Sequence, residues 1–312
     1  MRIRGALVLF IILVSSHPAH GDTEEVDRFK REYPPAAKRL EERFARAKGS
    51  CRLSGVEAGD SKTSRLDEAI FDIDHGYEKL TIKRWLPGGG ASPQFYESVY
   101  CVGEHTDFYL TRLPGAKGFA VEGIGSTDSD RSAYLTLFGR FVKSHLGVFG
   151  WPLTRTMASP DFRLKNAERI TKNGHSLVKV DYEIGAQEPK HQVSVVLDPD
   201  YGWAIRSSDY RPANAAGVRF VTEIEYGPSR DGFSLPRLVT IRDHVGVSSC
   251  EFSNWKFEGT PEAEFGMPHY GLPDLTAKTT SSPSSLPYWL VGFALAGLAL
   301  SFFLKRAGSR NA

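Results

Sequence analysis

Two short runs of residues carry side chains that could act as acids, bases or metal ligands. They are Asp72-Ile73-Asp74-His75 and Asp243-His244. In a strand, alternation would place Asp72 and Asp74 on one face and His75 on the other. Carboxylates and an imidazole placed in this way could bind a metal ion or transfer protons. Both runs stand at predicted strand ends, however, where a solvated pair beside a turn is the simpler interpretation.

No motif of a common enzyme class supports either run. The chain contains no Gly-x-Ser-x-Gly, no His-Glu-x-x-His, no P-loop and no dinucleotide-binding glycine motif. The run Asp198-Pro199-Asp200-Tyr201-Gly202-Trp203 is superficially similar to a calcium loop, but it lacks the spacing and closing glutamate of an EF-hand and indicates a hairpin loop. We therefore expect neither enzyme activity nor a cofactor or metal. A hydrolase is the alternative if Asp74, His75, Asp243 and His244 converge in a pocket.

Apolar and aromatic residues on one face of the strands and of one helix give a second functional signal. A curved, open sheet can leave an apolar cleft between the sheet and a helix that crosses it. The residues predicted to line such a ligand-binding cleft are Tyr134, Phe138, Phe141, Val142, Val180, Tyr182, Phe220 and Ile224. Filling of the core accounts for most residues of this kind, so a solid interior is the alternative.

The strands that must position these residues show a hydrophobic period of two from Cys51 onward. In the segment 177–185, Val180 and Tyr182 fall on one face with other apolar residues, and charged residues fall on the opposite face. The segment 218–227 repeats this pattern, and turn signals rich in Asn, Asp, Pro and Gly separate the strands. Short loops between consecutive strands predict an antiparallel meander.

One helix is predicted to interrupt the meander. Thr127 or Asp128 can cap it, and Gly147 and Gly150 end it. The residues that recur at helical spacing are Tyr134, Phe138, Phe141, Val142 and His145. A lone apolar helix must bury its stripe, and the concave face of a curved sheet is the expected place. The predicted fold is mainly β (α+β), a long antiparallel meander curved into an unclosed half-barrel. It has an N-terminal helix, one helix on the concave face and a C-terminal transmembrane helix.

Residues 1–21 have the pattern of a signal peptide. Arg2 and Arg4 give a positive start, and the apolar run Ala6–Val14 is too short to span a bilayer. Small residues in Ala19-His20-Gly21 suit a signal peptidase, and an uncleaved anchor is the alternative.

Residues 22–49 form a charged segment that is predicted to be helical and to precede the β domain of residues 50–259. Pro34-Pro35 is expected to split this segment into two helices. Its thin apolar stripe favours a solvated helix that packs one face on the domain, and a partner-binding helix is the alternative.

The C-terminal part of the chain predicts a membrane anchor. Residues 260–285 are rich in Pro, Ser and Thr and predict a disordered or extended stalk. Leu286–Leu304 is uncharged, and a helix of this length covers a hydrocarbon core of about 30 Å. Basic residues follow in the tail 305–312, so we expect a single-pass membrane protein with a cytoplasmic C-terminus and an extracytoplasmic, periplasmic domain. A buried core helix is the alternative.

The net charge limits the possible partners, and the cysteine content limits the possible disulfide bonds. The formal net charge of the 312 residues is +2, with basic and acidic residues interleaved, so no nucleic-acid partner is expected. Cys51, Cys101 and Cys250 are the three cysteines. Cys51 and Cys101 could form a bridge, but the sequence does not establish any pairing.

The order of the elements and one turn resemble the LolA/LolB-like family of periplasmic lipoprotein carriers and lipoprotein-sorting proteins. The similarity lies in the hairpin from Val193 through Leu197-Asp198-Pro199 to Gly202-Trp203-Ala204-Ile205-Arg206. The stretch from Phe265 through His269-Tyr270-Gly271-Leu272-Pro273-Asp274 before an anchor also resembles uncharacterised exported proteins of planctomycete-type bacteria. The resemblance implies an unclosed barrel of about eleven strands whose apolar interior shelters acyl chains. No functional residue carries over, because no family motif matches position by position.

The sequence therefore predicts a membrane-tethered extracytoplasmic binding module with an apolar cleft for a lipid, a lipoprotein or another amphiphile. A transmembrane helix would prevent the shuttling between membranes that soluble carriers perform. The alternative is a structural or protein-interaction domain of the bacterial cell envelope without a small-molecule ligand.

Overall fold

The computed structural model describes residues 23–57, 65–85, 95–103, 107–125, 139–213, 215, 217–230 and 233–274. The predicted signal peptide, the predicted transmembrane helix Leu286–Leu304 and the basic tail lie outside these residues. Within them, no helix has both the length and the apolar character needed to cross a bilayer.

Thirteen strands of the described chain form one antiparallel sheet, and the first strand of the sequence lies in its interior. β1 (Arg46–Glu57) pairs with β2 on one side and with β15 on the other. Beyond β1 on the first side lie β2 (Arg65–Asp74), β3 (Tyr77–Trp85), β4 (Phe95–Val102), β5 (Asp107–Arg112) and β6 (Ala120–Ile124). On the other side lie β15 (Gly246–Lys256), β14 (Phe233–Arg242), β13 (Phe220–Arg230), β12 (Ala204–Arg211), β11 (His191–Asp198), β10 (His175–Ile184) and β9 (Arg163–Lys172).

The sheet is open, with β6 at one edge and β9 at the other. A mainly β domain with a long, unclosed antiparallel sheet and an N-terminal helix is thus confirmed. The sheet consists of two meanders, β1 to β6 and β9 to β15, which meet along the β1–β15 pair. The thirteen strands exceed the roughly eleven that the family resemblance implies.

Small residues make β1 inconspicuous in the sequence. Its inward side chains are those of Ala47, Cys51 and Leu53, and Gly49 lies opposite Phe71 of β2. A Cβ atom at Gly49 would lie 2.7 Å from the Phe71 ring, so only glycine lets this fully buried ring lie against β1.

The N-terminal segment forms one helix, α1 (Thr23–Phe44), so the predicted split at Pro34-Pro35 is wrong. Each proline removes a backbone donor from the helix. The helix continues because its apolar stripe packs on the sheet on both sides of the prolines, through Phe29, Tyr33 and Phe44.

The connection from β6 to β9 crosses one face of the sheet, because these two strands are its opposite edges. Its described part contains helical residues 139–142, a hairpin of β7 (Gly147–Val148) and β8 (Trp151–Pro152), and the short helix α2 (Leu153–Met157). The predicted helix from residue 127 to Gly147 overlaps this region, but the helical residues end at 142 and a turn follows. We call residues 139–157 the inner cover, and the face that it shares with α1 the inner face.

The chain after β15 crosses the opposite, outer face of the sheet. We call residues 258–272 the outer strap; it contains two 3₁₀ turns, Glu262–Phe265 and Met267–Tyr270. Phe265 and Met267 are buried in a second apolar cluster with residues of β4 and β5. This packing differs from the extended stalk predicted from residue 260 onward, because the stretch holds enough apolar side chains to cover the sheet.

Elsewhere the outer face is polar, and charges of opposite sign alternate across six neighbouring strands from β15 to β5. This row consists of Glu251, Arg52, Glu68, Lys83, Glu97 and Arg112. Directly opposite unlike charges stabilise a strand pair, and a slip of one residue would move the row to the apolar face. The row therefore helps to fix the register of the sheet.

Candidate functional site

The residues predicted to line a cleft are brought together, but in a packed core. Phe141 and Val142 of the inner cover and Val180, Tyr182 and Ile224 of the sheet are all buried in one apolar cluster. Phe220 is half-buried at the margin of the inner cover, where its ring contacts Phe149 with centroids 4.9 Å apart. Tyr134 and Phe138 lie outside the described residues.

Aromatic side chains make up much of the inner face. Phe29 and Tyr33 of α1 stack at 5.2 Å and both contact Trp203, while Phe44 contacts Trp255 at 5.3 Å. Burial raises the pKa of the Tyr33 hydroxyl well above its ordinary value. The inner face is therefore a low-polarity surface that extends under both α1 and the inner cover.

The inner cover reaches from β3 to β13 across the sheet. Near one end, Lys143 bonds to Glu78 of β3, and near the other, Phe149 packs on Tyr210 of β12 at 5.0 Å. Thr154 donates a hydrogen bond to Glu41 of α1. These contacts place the inner cover over the middle of the sheet.

His145 is a buried imidazole in the middle of the inner cover. Its ring lies 3.9 Å from the Phe44 ring and 6.4 Å from the Trp255 ring, centroid to centroid. Neither ring nitrogen makes a hydrogen bond with the described residues. Burial lowers the pKa of His145 from 6.5 to about 3, and the nearby backbone of Val142 opposes this only in part. The side chain is therefore neutral at physiological pH.

Arg140 is a second polar group that the inner cover places against apolar surface. Its guanidinium lies 3.2 Å from the centre of the Phe149 ring and 5.3 Å from that of Phe220. Its Nε atom is buried without a hydrogen-bond partner in the described part of the chain. Burial lowers the pKa of Arg140 to about 10, and the charges of Asp243 and Tyr210 oppose the shift. Cation–π contact replaces only part of the lost hydration.

The inner cover closes tightly over the sheet. A crevice of about 10 Å³ lies at its margin, next to Phe71, Leu80, Gly139 and Val142. This volume corresponds to about one water molecule and is far too small for an acyl chain. Within the described residues, an apolar ligand could reach the surface beneath the inner cover only if the cover moved.

A larger groove lies on the outer face, over β15, β1, β2 and β3. Its volume is about 500 Å³, and its lining includes charged and hydroxyl side chains together with Ile70, which is 55 % exposed. Arg52 faces Glu68 there at 3.6 Å, and the Ser50 and Ser253 hydroxyls bond to each other at 2.9 Å. This groove suits a polar ligand or a protein surface and is distinct from the predicted apolar cleft.

The two Asp/His runs do not converge. Asp74 pairs with Arg46 at the first residue of β1, whereas Gly246, beside the second run, pairs with Glu57 at the last. Eleven residue steps of strand separate these ends by about 36 Å. Asp74 accepts a hydrogen bond from the Thr260 N–H at 2.8 Å, and Asp243 accepts one from the Val245 N–H at 2.8 Å. Each carboxylate thus holds a backbone N–H group that lies beside it in the fold.

The turn that carried the family resemblance is a structural clamp. Asp198 is buried and accepts hydrogen bonds from the Asp200 N–H at 3.1 Å and from two nitrogens of Arg206 at 2.7 and 2.9 Å. The Arg206 guanidinium lies over the Tyr201 and Tyr226 rings. The hairpin loop predicted here is therefore built around one satisfied buried carboxylate.

The three cysteines are buried and reduced in this structure. Cys51 lies in the core of the inner face, whereas Cys101 lies on the outer face, where its thiol donates to the Phe265 carbonyl at 3.1 Å. The bridge considered between Cys51 and Cys101 is ruled out by the sheet that separates them. Within the described residues, no group of three or more His, Cys, Asp and Glu side chains could hold a metal ion.

Sequence reasoning placed His145 on an apolar stripe but gave it no role, and it did not single out Arg140. A histidine at a core position of an amphipathic helix was the available signal. Its lack of hydrogen-bond partners depends on residues distant in sequence, such as Phe44 and Trp255.

Comparison with known proteins gives distant likenesses to solved structures. No protein-family model and no curated protein matches the chain. A crystal structure described as an outer membrane lipoprotein-sorting protein domain from Vibrio parahaemolyticus is similar with 12% identity and a TM-score of 0.44, covering 77% of this chain and 98% of that one. A DUF1329 family protein from Desulfovibrio piger is similar with 14% identity and a TM-score of 0.45, covering 76% and 97%. Likenesses this distant add no argument about function.

Proposed function

We propose that this chain is a membrane-tethered, extracytoplasmic binding module for an amphiphile, such as a lipid or the acyl part of a lipoprotein. The apolar chain of the ligand binds the inner face of the sheet when the inner cover moves aside. The observation that supports this proposal is the inner cover itself. It places the two His145 ring nitrogens and the Arg140 Nε atom, which have no hydrogen-bond partner among the described residues, over a continuous apolar surface.

The energetic logic favours the inner cover as the element that moves. A buried polar group without a hydrogen bond costs about 1–3 kcal/mol, and both His145 and the Arg140 Nε atom regain water when the cover lifts. The apolar surface that is uncovered would be costly in water. An acyl chain offsets that cost, because each buried CH₂ group contributes about 0.8 kcal/mol.

The predicted membrane anchor determines where the domain would encounter its ligand. The outer strap carries the chain over β4 and β5, where Tyr270 contacts Phe108 and Phe119, and the described chain ends at Asp274. Eleven residues separate this point from the predicted membrane helix Leu286–Leu304. Such a linker reaches at most about 40 Å, so the inner face would sample amphiphiles at one membrane surface.

Photo-crosslinking in lipid nanodiscs tests the proposal with the full chain. A phospholipid with a diazirine on its acyl chain is expected to label inner-face peptides that contain Val180 and Ile224. Labelling confined to residues 286–304 would refute ligand binding while leaving the anchor intact. Replacing His145 with Phe removes a penalty of the closed state, so the variant is expected to label less. The exposed His175→Gln variant serves as the matched control.

A structural or protein-interaction domain is the second candidate, and one observation favours it. The described interior is packed, whereas the outer face offers a groove of about 500 Å³ with paired charges. An envelope protein bound there would crosslink to probes placed at Ile70 and leave the inner face unlabelled by lipid. The two sets of crosslinks therefore separate the two functions.

A further inference from the structure

Two of the three cysteines face each other across the pair of strands that joins the two meanders. In β1 and β15, Cys51 lies opposite Phe252, and Leu53 lies opposite Cys250. Residues that are offset by two positions in this way lie on the same face of neighbouring strands. Both cysteines belong to the inner-face core, and both side chains are almost fully buried.

Burial raises the pKa of the Cys250 thiol, and the neighbouring Cys51 thiol raises it further. Diagonal neighbours on adjacent strands lie about 7–8 Å apart, slightly beyond the usual span of a disulfide. Closing an S–S bond of about 2.05 Å therefore requires side-chain rotation and a small approach of the two strands, but no change in strand register. Cys101 has no access to either sulfur, because it lies on the outer face beneath the outer strap.

We propose that Cys51 and Cys250 form a disulfide bond in the exported protein and that Cys101 remains reduced. This assignment uses the export included in the proposed function, but it is independent of any ligand. Disulfides persist in extracytoplasmic compartments and are rare in the cytosol. An odd number of cysteines then leaves one thiol, which the outer strap shields.

The bond forms by exchange with a dithiol oxidoreductase in its disulfide form. The Cys51 thiolate attacks one sulfur of the donor disulfide and displaces the other as a thiolate. The Cys250 thiolate then attacks the Cys51 sulfur and displaces the donor's second thiolate. The donor gains two electrons, and its two thiolates take up the two protons lost by the cysteines. Because the thiols are buried in the folded domain, this exchange precedes closure of the core.

The position of the bond determines its effect. It would connect β1 and β15, the first and last strands in the sequence, and close a loop of about 200 residues. Long loops gain the most from closure. Reduction of the bond is expected to lower the Tm on the order of 10 °C for a domain of this size. The Cys51→Ala variant should show no such dependence on reductant.

Thiol counting tests the proposal. The full chain is isolated from the membranes of an exporting bacterial host with N-ethylmaleimide present, then unfolded, labelled again and weighed. We expect one adduct per chain without reduction, three after reduction and none in unreduced Cys101→Ala. The same chain without residues 1–21, made in the cytoplasm, should give three adducts.

Three adducts on the unreduced exported chain would overturn the proposal, and so would peptide mapping of a bridge that contains Cys101. Protease accessibility of the domain in intact spheroplasts establishes that the counted chain was exported. Neither negative result bears on lipid crosslinking at the inner face, so the disulfide and the proposed function fail separately.

Discussion

Lowering the pH from 7.5 to 5 is expected to destabilise the folded domain by about 2 kcal/mol through the single side chain of His145. Burial lowers the pKa of His145 from 6.5 in the unfolded chain to about 3 in the fold. The fold therefore holds the neutral imidazole, and the unfolded chain takes up the proton first as the pH falls below 6.5. The full contribution to stability is present above pH 6.5 and is lost progressively toward pH 3.

The size of the effect follows from the shift in pKa. Each unit corresponds to about 1.4 kcal/mol, so the whole window represents about 5 kcal/mol for a fully buried group. Carboxylates titrate mainly below pH 5, which leaves the range from 7.5 to 5 as the cleanest window. Guanidinium unfolding at each pH, followed by circular dichroism, measures the free energy of unfolding.

The His145→Phe variant isolates the contribution of this side chain. A phenyl ring suits the aromatic contacts with Phe44 and Trp255 but binds no proton. The free-energy difference between the variant and the wild type should grow by about 2 kcal/mol in favour of the variant between pH 7.5 and pH 5. The exposed His175→Gln variant should keep the wild-type dependence. Parallel pH curves for wild type and His145→Phe would refute the account, whatever the variant's stability at neutral pH.

Three further substitutions test the packing of the sheet and of the outer strap, each by chemical denaturation. Gly49→Ala should destabilise the domain by about 1–3 kcal/mol because its methyl group meets a buried ring, whereas Gly55→Ala in the same strand has room and should cost less. Asp198→Ala should cost about 3 kcal/mol by removing the buried carboxylate that pairs with the half-buried Arg206, and the exposed Asp200→Ala should cost little. Thr260→Val removes a buried hydrogen bond to a carboxylate and should cost about 1–3 kcal/mol, with faster proteolysis of the outer strap.

The sequence predicted the strands whose apolar residues alternate clearly, and it failed where the alternation rests on small residues. β10 was predicted because Val178, Val180 and Tyr182 share one face. The start of β1 was assigned to a helical segment, because Ala47 and Gly49 give little hydrophobic contrast to Arg46 and Lys48. What makes this strand central is its pairing with β15, about 200 residues later, and local pattern carries no information on such a contact.

The sequence predicted which residues make up the candidate site, but not whether they line an open cleft or fill a packed core. Phe141, Val142, Val180, Tyr182 and Ile224 do share one region of the inner face, as their periodicity indicated. Whether such residues line a cleft or fill a core depends on how closely the crossing segment approaches the sheet. That approach is set by contacts such as Phe44 with His145, between segments about 100 residues apart, so single-sequence periodicity cannot supply it.

The inner cover and the outer strap lie on opposite faces of the sheet, so the two faces can serve different functions. β6 and β9 are opposite edges of the sheet, and the inner cover, in the described part of the connection between them, crosses the inner face. Because β15 ends beside β1 in the interior of the sheet, the chain toward the predicted anchor leaves across the other face as the outer strap. Movement of the inner cover would therefore leave the outer strap and its hydrogen bonds to Asp72 and Asp74 undisturbed. In the proposed function, a ligand would enter and leave the inner face while the predicted anchor holds the domain at its membrane, and both processes would require the β1–β15 pair to remain intact.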